Sequence, residues 1–169
     1  NINHPDTVEL LQDKYQFDYI FHYAALVGVE RTQAKPIQVL EDIEGIKHVI
    51  QLALSSNSKR VYFASSSEVY GEPVEIPQLE NTTPLNSRVP YAIVKNICES
   101  FLKSYQKTFD LNYTIFRLFN TYGPKQSGDF VMNRFIKAAL EDNPIYIYGD
   151  GKQSRTFLHV DDHVNFVIS

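Results

Sequence analysis

The strongest constraint on how this chain folds is an alternation. Short aromatic and β-branched runs end in small or polar clusters, and longer stretches between them carry apolar residues three and four apart. Residues 17–23 (FDYIFHY), 60–64 (RVYFA) and 112–118 (NYTIFRL) read as buried strands. Between the first two, Pro36 opens a helical pattern through Val39, Ile43, Ile46, Ile50 and Leu54, which the serine-rich cluster 55–58 stops. A second helix is expected from Tyr91 to about Thr108, with Val94, Ile97, Phe101, Leu102 and Tyr105 as its core stripe. Strand, helix, strand, helix, strand predicts parallel pairing through crossovers, hence an α/β fold with a doubly wound parallel sheet. Ligands of such sheets sit at the carboxyl ends of the strands. Ala24-Ala25, Ser65-Ser66-Ser67 and Asn120-Thr121 occupy those ends and are expected to share one crevice.

Residues 73–90 form a Pro-rich polar loop, too long for a plain connection and so expected to be functional. Beyond the third strand the pattern predicts a turn-rich loop over 120–129, a helix over 130–141 and a short strand over 145–148. A turn at 149–151, an extended piece over 155–160 and a helix over 161–169 complete it. The 169 residues are one domain's worth of chain, and 43% hydrophobic with 21% charged residues excludes a disordered chain. A net charge of −4 without a basic block argues against nucleic acid as a partner. The single cysteine, Cys98, excludes a disulfide framework or a Cys-rich zinc site and fits a reducing, cytoplasmic setting. No apolar run approaches the roughly 20 residues of a membrane span, and no signal-peptide pattern opens the chain. A start at Asn1 and a stop inside a helical pattern suggest a fragment truncated at both ends.

The sharpest chemistry lies in Ser65-Ser66-Ser67 followed by Tyr91 and Lys95. Residues four apart on a helix project from one face. A phenol at its ordinary pKa near 10 is only about 0.1% ionised at pH 7, so alone it is a poor base. A nearby ammonium favours the phenolate. A serine hydroxyl from the adjacent strand end can hydrogen-bond the same substrate oxygen, and the three together suit removal of a proton from an alcohol whose carbon loses hydride. Each element alone is commonplace on amphipathic helices and strand ends; their joint order in an α/β pattern gives them meaning. His22 reads as a packed strand residue. His159, Asp161, Asp162 and His163 straddle a strand end and a helix start, where Asp is an ordinary cap, so no metal site is expected.

Five stretches in order carry a resemblance. They are Phe21-His22-Tyr23-Ala24-Ala25, then Ser65 to Gly71 (SSSEVYG), then Tyr91 with Lys95. Arg117 to Pro124 (RLFNTYGP) and Tyr148-Gly149-Asp150-Gly151 with Arg155-Thr156-Phe157 follow. Together they resemble the extended short-chain dehydrogenase/reductases, and among them the NAD-dependent nucleotide-sugar epimerases, dehydratases and decarboxylases. The resemblance implies a Rossmann-like sheet, with residues 1–124 a partial NAD-binding domain and 125–169 the start of a nucleotide-sugar-binding region. It implies Ser66, Tyr91, Lys95 and Glu68 as catalytic residues, and Ala24, Ala25, Leu26, Ser65, Tyr91 and Lys95 along the cofactor. Ser66, Arg88, Asn120, Tyr148 and Arg155 are implied at a sugar nucleotide, a UDP-sugar first. The implied reaction passes through a 4-keto sugar, with 4-epimerisation ahead of UDP-glucuronate decarboxylation, for which Glu68 and Arg88 speak. Ser67, where dehydratases of the family carry Asp, counts against dehydration. A homodimer through the Tyr91 helix and the helix before it is implied as well. A degenerate NAD-sensing module without catalysis is the competing class, disfavoured because a sensor has no use for the base.

Two departures stand out. No GxGxxG turn occurs among the seven glycines. The usual Asn-x-x-Gly-Thr reads Asp42-Ile43-Glu44-Gly45-Ile46. Because a helix N-terminus cradling the pyrophosphate is a main anchor for a dinucleotide, the 169-residue chain alone is expected to bind NAD weakly and turn over little. Stoichiometric NAD retained through purification of this chain, measured by absorbance and mass spectrometry of the extract, would contradict that expectation.

Overall fold

The computed structural model describes residues 1–169, which divide into two compact units, Asn1–Leu118 and Phe119–Ser169. The first holds a three-stranded parallel sheet in the order β1-β2-β3, from β1 (Tyr19–His22), β2 (Arg60–Ser66) and β3 (Tyr113–Leu118). Tyr19 pairs with Arg60, and Val61 with Tyr113, so each crossover returns the chain to the edge beside the strand it left. The parallel α/β architecture expected from the alternation is present.

One face of this sheet carries the core. Ile20, Val61, Phe63, Tyr113 and Ile115 meet Val39 of α3 (Pro36–Leu40) and Ile46, Val49, Ile50 and Ala53 of α4 (Asp42–Ser55). Val94, Cys98 and Leu102 of α5 (Pro90–Phe109) fall four apart and complete it. Period-two alternation puts Tyr19, Phe21, Tyr62 and Phe116 on the other face. There Tyr62 stacks on Phe21 at 4.5 Å between ring centroids and on Phe116 at 6.1 Å. Proline opens α5 at its first position, and Asp110 in the left-handed region ends it.

Several expectations need correction. The single helix from Pro36 to Leu54 is two helices, α3 and α4, broken at Glu41 beside Asp42, whose carboxylate turns to accept the Leu26 amide at 3.1 Å. Leu54 is exposed, outside the core. Two helices, α1 (Pro5–Lys14) and α2 (Val29–Ala34), lack the long apolar periodicity that announces a helix; α1 buries only Val8 and α2 nothing. In the second unit, the expected loop after Asn120 contains β4 (Asn120–Tyr122), which pairs in parallel with β5 (Phe157–His159). That ladder belongs wholly to the second unit, which begins at Phe119. The expected strand at 145–148 does not form, because Ile145, Tyr146, Ile147 and Tyr148 are all exposed and find no ladder partner. Helices α6 (Val131–Leu140) and α7 (Val160–Ile168) lie where the pattern puts them.

After β2 the chain makes a single 3-10 turn, Ser67–Tyr70, and leaves it through Gly71 at φ +65°. A Cβ there would collide with the Asn86 carbonyl oxygen of the long loop, so both backbone and space demand glycine. Gly71→Ala is expected to cost roughly 1–3 kcal/mol, read as a lower midpoint in urea denaturation with an unchanged slope.

Candidate active site

Helix α5 carries two neighbouring stripes. Beside the core stripe run Tyr91, Lys95 and Glu99, again four apart. This second stripe is polar and packs toward the carboxyl end of β2, where Lys95 meets the Ala64 carbonyl and Glu99 meets Ser65.

Lys95 is buried, and its Nζ donates to the Ala64 carbonyl at 2.8 Å. It lies 4.8 Å from the centre of the Phe63 ring and 5.7 Å from that of Tyr91. An ammonium has three protons, and this one spends a single hydrogen bond on the protein. Burial pulls its pKa down, opposed by the charge of Asp42. Ser66 is buried at the last position of β2, and its Oγ accepts the Glu68 amide at 3.2 Å. That leaves the hydroxyl proton to be given away, and Ser66 lies near enough to the Tyr91 phenol to favour the phenolate. The hydroxyl, phenol and ammonium singled out in the sequence therefore come together.

The electrostatics differ from the sequence-based expectation. Lys95 was expected to depress the Tyr91 phenol, yet Tyr91 sits above the ordinary range. Burial is the largest cause, and the carboxylates Glu68 and Asp42 add to it against the Ser66 interaction. His22, stacked on Phe63 at 5.8 Å, is pushed down to about 4 by burial and by Lys95, and so is neutral near pH 7. The Cys98 thiol, buried in the core, is pushed up to about 12, chiefly by desolvation.

Other expected residues sort by where their groups point. Ala24 is exposed, and Ala25 and Leu26 are half-buried in the loop leaving β1, beside the end of β2. Glu68 and Arg88 are exposed, and neither side chain has a hydrogen bond or ion pair. Ser65, expected at the cofactor, turns inward: its hydroxyl donates to Glu99 Oε1 at 2.6 Å. Asn120 belongs to the second unit, where its amide donates to the Thr156 carbonyl at 3.0 Å. Tyr148 accepts from Arg134 at 2.7 Å, and the exposed Arg155 donates to the Ser154 carbonyl at 2.9 Å. His159 accepts the Asp161 amide at 3.3 Å and caps α7.

Sequence reasoning missed the group beneath the site. Glu99 has no exposed surface and holds Arg117 of β3 bidentately, Nε to Oε1 at 3.0 Å and Nη2 to Oε2 at 2.8 Å. Arg117 Nη1 also donates to the Tyr70 hydroxyl and to the Glu80 carbonyl, both at 2.9 Å. The signal was a third step of four along the Tyr91–Lys95 stripe, and an arginine in a strand otherwise apolar at its end.

The profile of the NAD dependent epimerase/dehydratase family matches residues 1–169, and the chain belongs to that family. It is 40% identical over 163 residues to the UDP-N-acetyl-alpha-D-glucosaminuronate decarboxylase of Bacillus cytotoxicus, covering 91% of this chain and 50% of the relative. The UDP-N-acetylglucosamine 4-epimerase from Methanobrevibacter ruminantium M1, solved in complex with UDP-N-acetylmuramic acid, superposes with a TM-score of 0.88 at 35% identity. That match covers 99% of this chain and 54% of the other. The UDP-glucuronic acid 4-epimerase from Bacillus cereus, solved with UDP-glucuronic acid and NAD, gives 0.85 at 30% identity over 99% of this chain and 52% of the other. The chain thus spans about half the length of the relatives it matches. No helix is long and apolar enough to cross a membrane.

The buried pair makes stability pH-dependent. Burial raises the Glu99 pKa, but Arg117 and Ser65 overcome it and leave it below the ordinary 4.5. The unfolded chain therefore takes up a proton first, so this contribution is complete above the unfolded value and disappears as pH falls through the lower folded value. Urea midpoints measured from pH 7 downward are expected to drop in that window. Arg117→Met, which strands the Glu99 carboxylate, is expected to cost about 3–5 kcal/mol at pH 7 in the same assay.

Proposed function

We infer that the full-length protein is an NAD-dependent enzyme that oxidises a UDP-sugar at C4, with 4-epimerisation as its leading reaction. The observation that carries this reading is the buried Lys95 ammonium 5.7 Å from the Tyr91 ring, with Ser66 at the end of β2 near enough to favour the charged form of that phenol. In this reading Ser66 donates to the sugar O4 and holds it against Tyr91, which takes the hydroxyl proton. Lys95 would hold the nicotinamide ribose, since two of its protons are not committed to the protein. The small residues Ala24 and Ala25 leave room for a dinucleotide along the end of β1. NAD, when bound, supplies the hydride acceptor. A phenol above its ordinary pKa makes the rate rise with pH until Tyr91 ionises. Asn120, Tyr148 and Arg155 are assigned to the sugar nucleotide in the same reading.

Epimerisation asks nothing of the protein beyond Ser66, Tyr91 and Lys95, because the ketone is reduced again from its other face. Decarboxylation is the second reading, favoured by the Glu68 carboxylate, whose charge reaches Tyr91 from the turn after Ser66, and by the exposed Arg88. An arginine there suits a uronate carboxylate. Exposed Ile93 and Ile97 on α5 and Leu54 on α4 support a homodimer through those two helices.

Supplied with UDP-glucuronate, the full-length protein is expected to form the 4-epimer; release of CO2 with a UDP-pentose would select the second reading. Tyr91→Phe is expected to lower kcat/KM by about 10²–10⁴ while calorimetry finds NAD and UDP-sugar affinities little changed. Full turnover by that variant would overturn the enzyme reading.

A further inference from the structure

The 3-10 turn Ser67–Tyr70 follows directly on Ser66, and the last carbonyls of such a turn have no partner within it. The end of the long loop supplies the donors. The Ser87 hydroxyl donates to the Val69 carbonyl at 2.9 Å, and the Asn86 amide to the Tyr70 carbonyl at 3.4 Å. The same stretch of loop lies against Gly71, at the point where a Cβ would collide. Val69 and Tyr70 are buried, and Arg117 holds the Tyr70 hydroxyl, so the turn is a fixed body to which the loop is fastened. Farther back, the buried Thr83 ties the middle of the loop to itself: its hydroxyl accepts the Leu79 amide at 2.7 Å and donates to Glu75.

Tyr91 comes four residues after Ser87 and is the second residue of α5. That helix has no side-chain cap at Val89, and the amides of a first helical turn lack intrahelical partners. Lys95 and Glu99, one and two turns further in, are held by bonds to Ala64, Ser65 and Arg117. The Tyr91 ring packs at the edge of the core, while the chain that leads into it is fastened at Ser87. We propose that Ser87 is a positioning residue of the site: its hydroxyl clasps the chain entering α5 to the turn leaving β2 and so fixes Tyr91 relative to Ser66. Ser66 stands three residues before Val69, so both members of the pair lie within one short segment of the clasp. For its catalytic consequence the inference rests on the proposed reading, in which one sugar oxygen has to reach both hydroxyls. A misplacement of about 1 Å at such a contact costs about 100-fold in rate. The clasp also joins the residue after Glu68 to the residue before Arg88, the two groups that speak for a uronate substrate.

In the full-length protein, Ser87→Ala removes the donor and Ser87→Thr keeps it. Amide hydrogen exchange in Ser87→Ala is expected to quicken about tenfold, the size of one hydrogen bond, at Gly71 and Ile93. Those amides close the 3-10 turn on Glu68 and the first turn of α5 on Val89. Exchange at Leu102, in the buried middle of α5, is expected to keep the parent rate. With a UDP-sugar that the parent converts, kcat is expected to fall about tenfold while KM stays within about twofold. Ser87→Thr is expected to recover both kcat and the exchange rates. Parent-like exchange at Gly71 and Ile93 in Ser87→Ala would overturn the clasp. Faster exchange with kcat unchanged, or a kcat loss accompanied by faster exchange throughout α5, would overturn the positioning role. If the parent converts no UDP-sugar, the proposed function fails, while the exchange measurements still decide for or against the clasp.

Discussion

Beneath the site, the ion pair between Glu99 and Arg117 joins the long helix to the sheet. Glu99 is fully buried on α5, and Arg117 stands near the end of β3, with the Ser65 hydroxyl of β2 closing the arrangement. An apolar trio of similar size would fill the same space, and replacing buried pairs in that way is often neutral or better for stability. What the pair adds is direction. Its bonds are satisfied only when α5 sits at one height and one rotation against β2 and β3. Tyr91 and Lys95 lie two turns and one turn before Glu99 on the same face, so this registry puts the phenol opposite Ser66. The third guanidinium nitrogen extends the constraint to Tyr70 and to the Glu80 carbonyl of the long loop.

The same packing sets an electrostatic tension. Lys95 and Tyr91 are drawn out of water by residues they need for position, and desolvation opposes the charged form of both. Taken alone, the protein holds a phenol and a strained ammonium rather than a ready phenolate. A base of this kind is useful when ligand binding brings positive charge and further excludes water, because the charge then acts in a low dielectric at short range. The sequence-based expectation that lysine by itself activates the tyrosine left out the cost of burying both.

The strands, the α5 helix and the Ser66–Tyr91–Lys95 set were legible because each rests on local pattern. Val94, Cys98 and Leu102 repeat every four residues, and the strand runs are continuous enough to stand apart from loops. The break at Glu41 was not legible, since Val39 and Ile46 remain in phase with one apolar stripe although the helix bends between them. Nor was β4, three residues whose strand character comes from pairing with β5, more than thirty positions away. The run 145–148 shows the opposite error: strong β propensity with no partner remains irregular, because a strand is stabilised by its neighbours.

Composition and spacing alone settled the α/β class, the order of the three parallel strands' segments along the chain, and which hydroxyl, phenol and amine share a helix face or strand end. Those are properties of periods of two and of three to four residues, and a linear sequence carries them in full. Tertiary structure decided that the Ser65 hydroxyl bonds Glu99, that Arg117 anchors the helix carrying the phenol, and that Asp42 reaches across to Leu26. Each of those pairings spans sixteen residues or more, and only the packing of helices onto the sheet brings such groups within a hydrogen bond of one another.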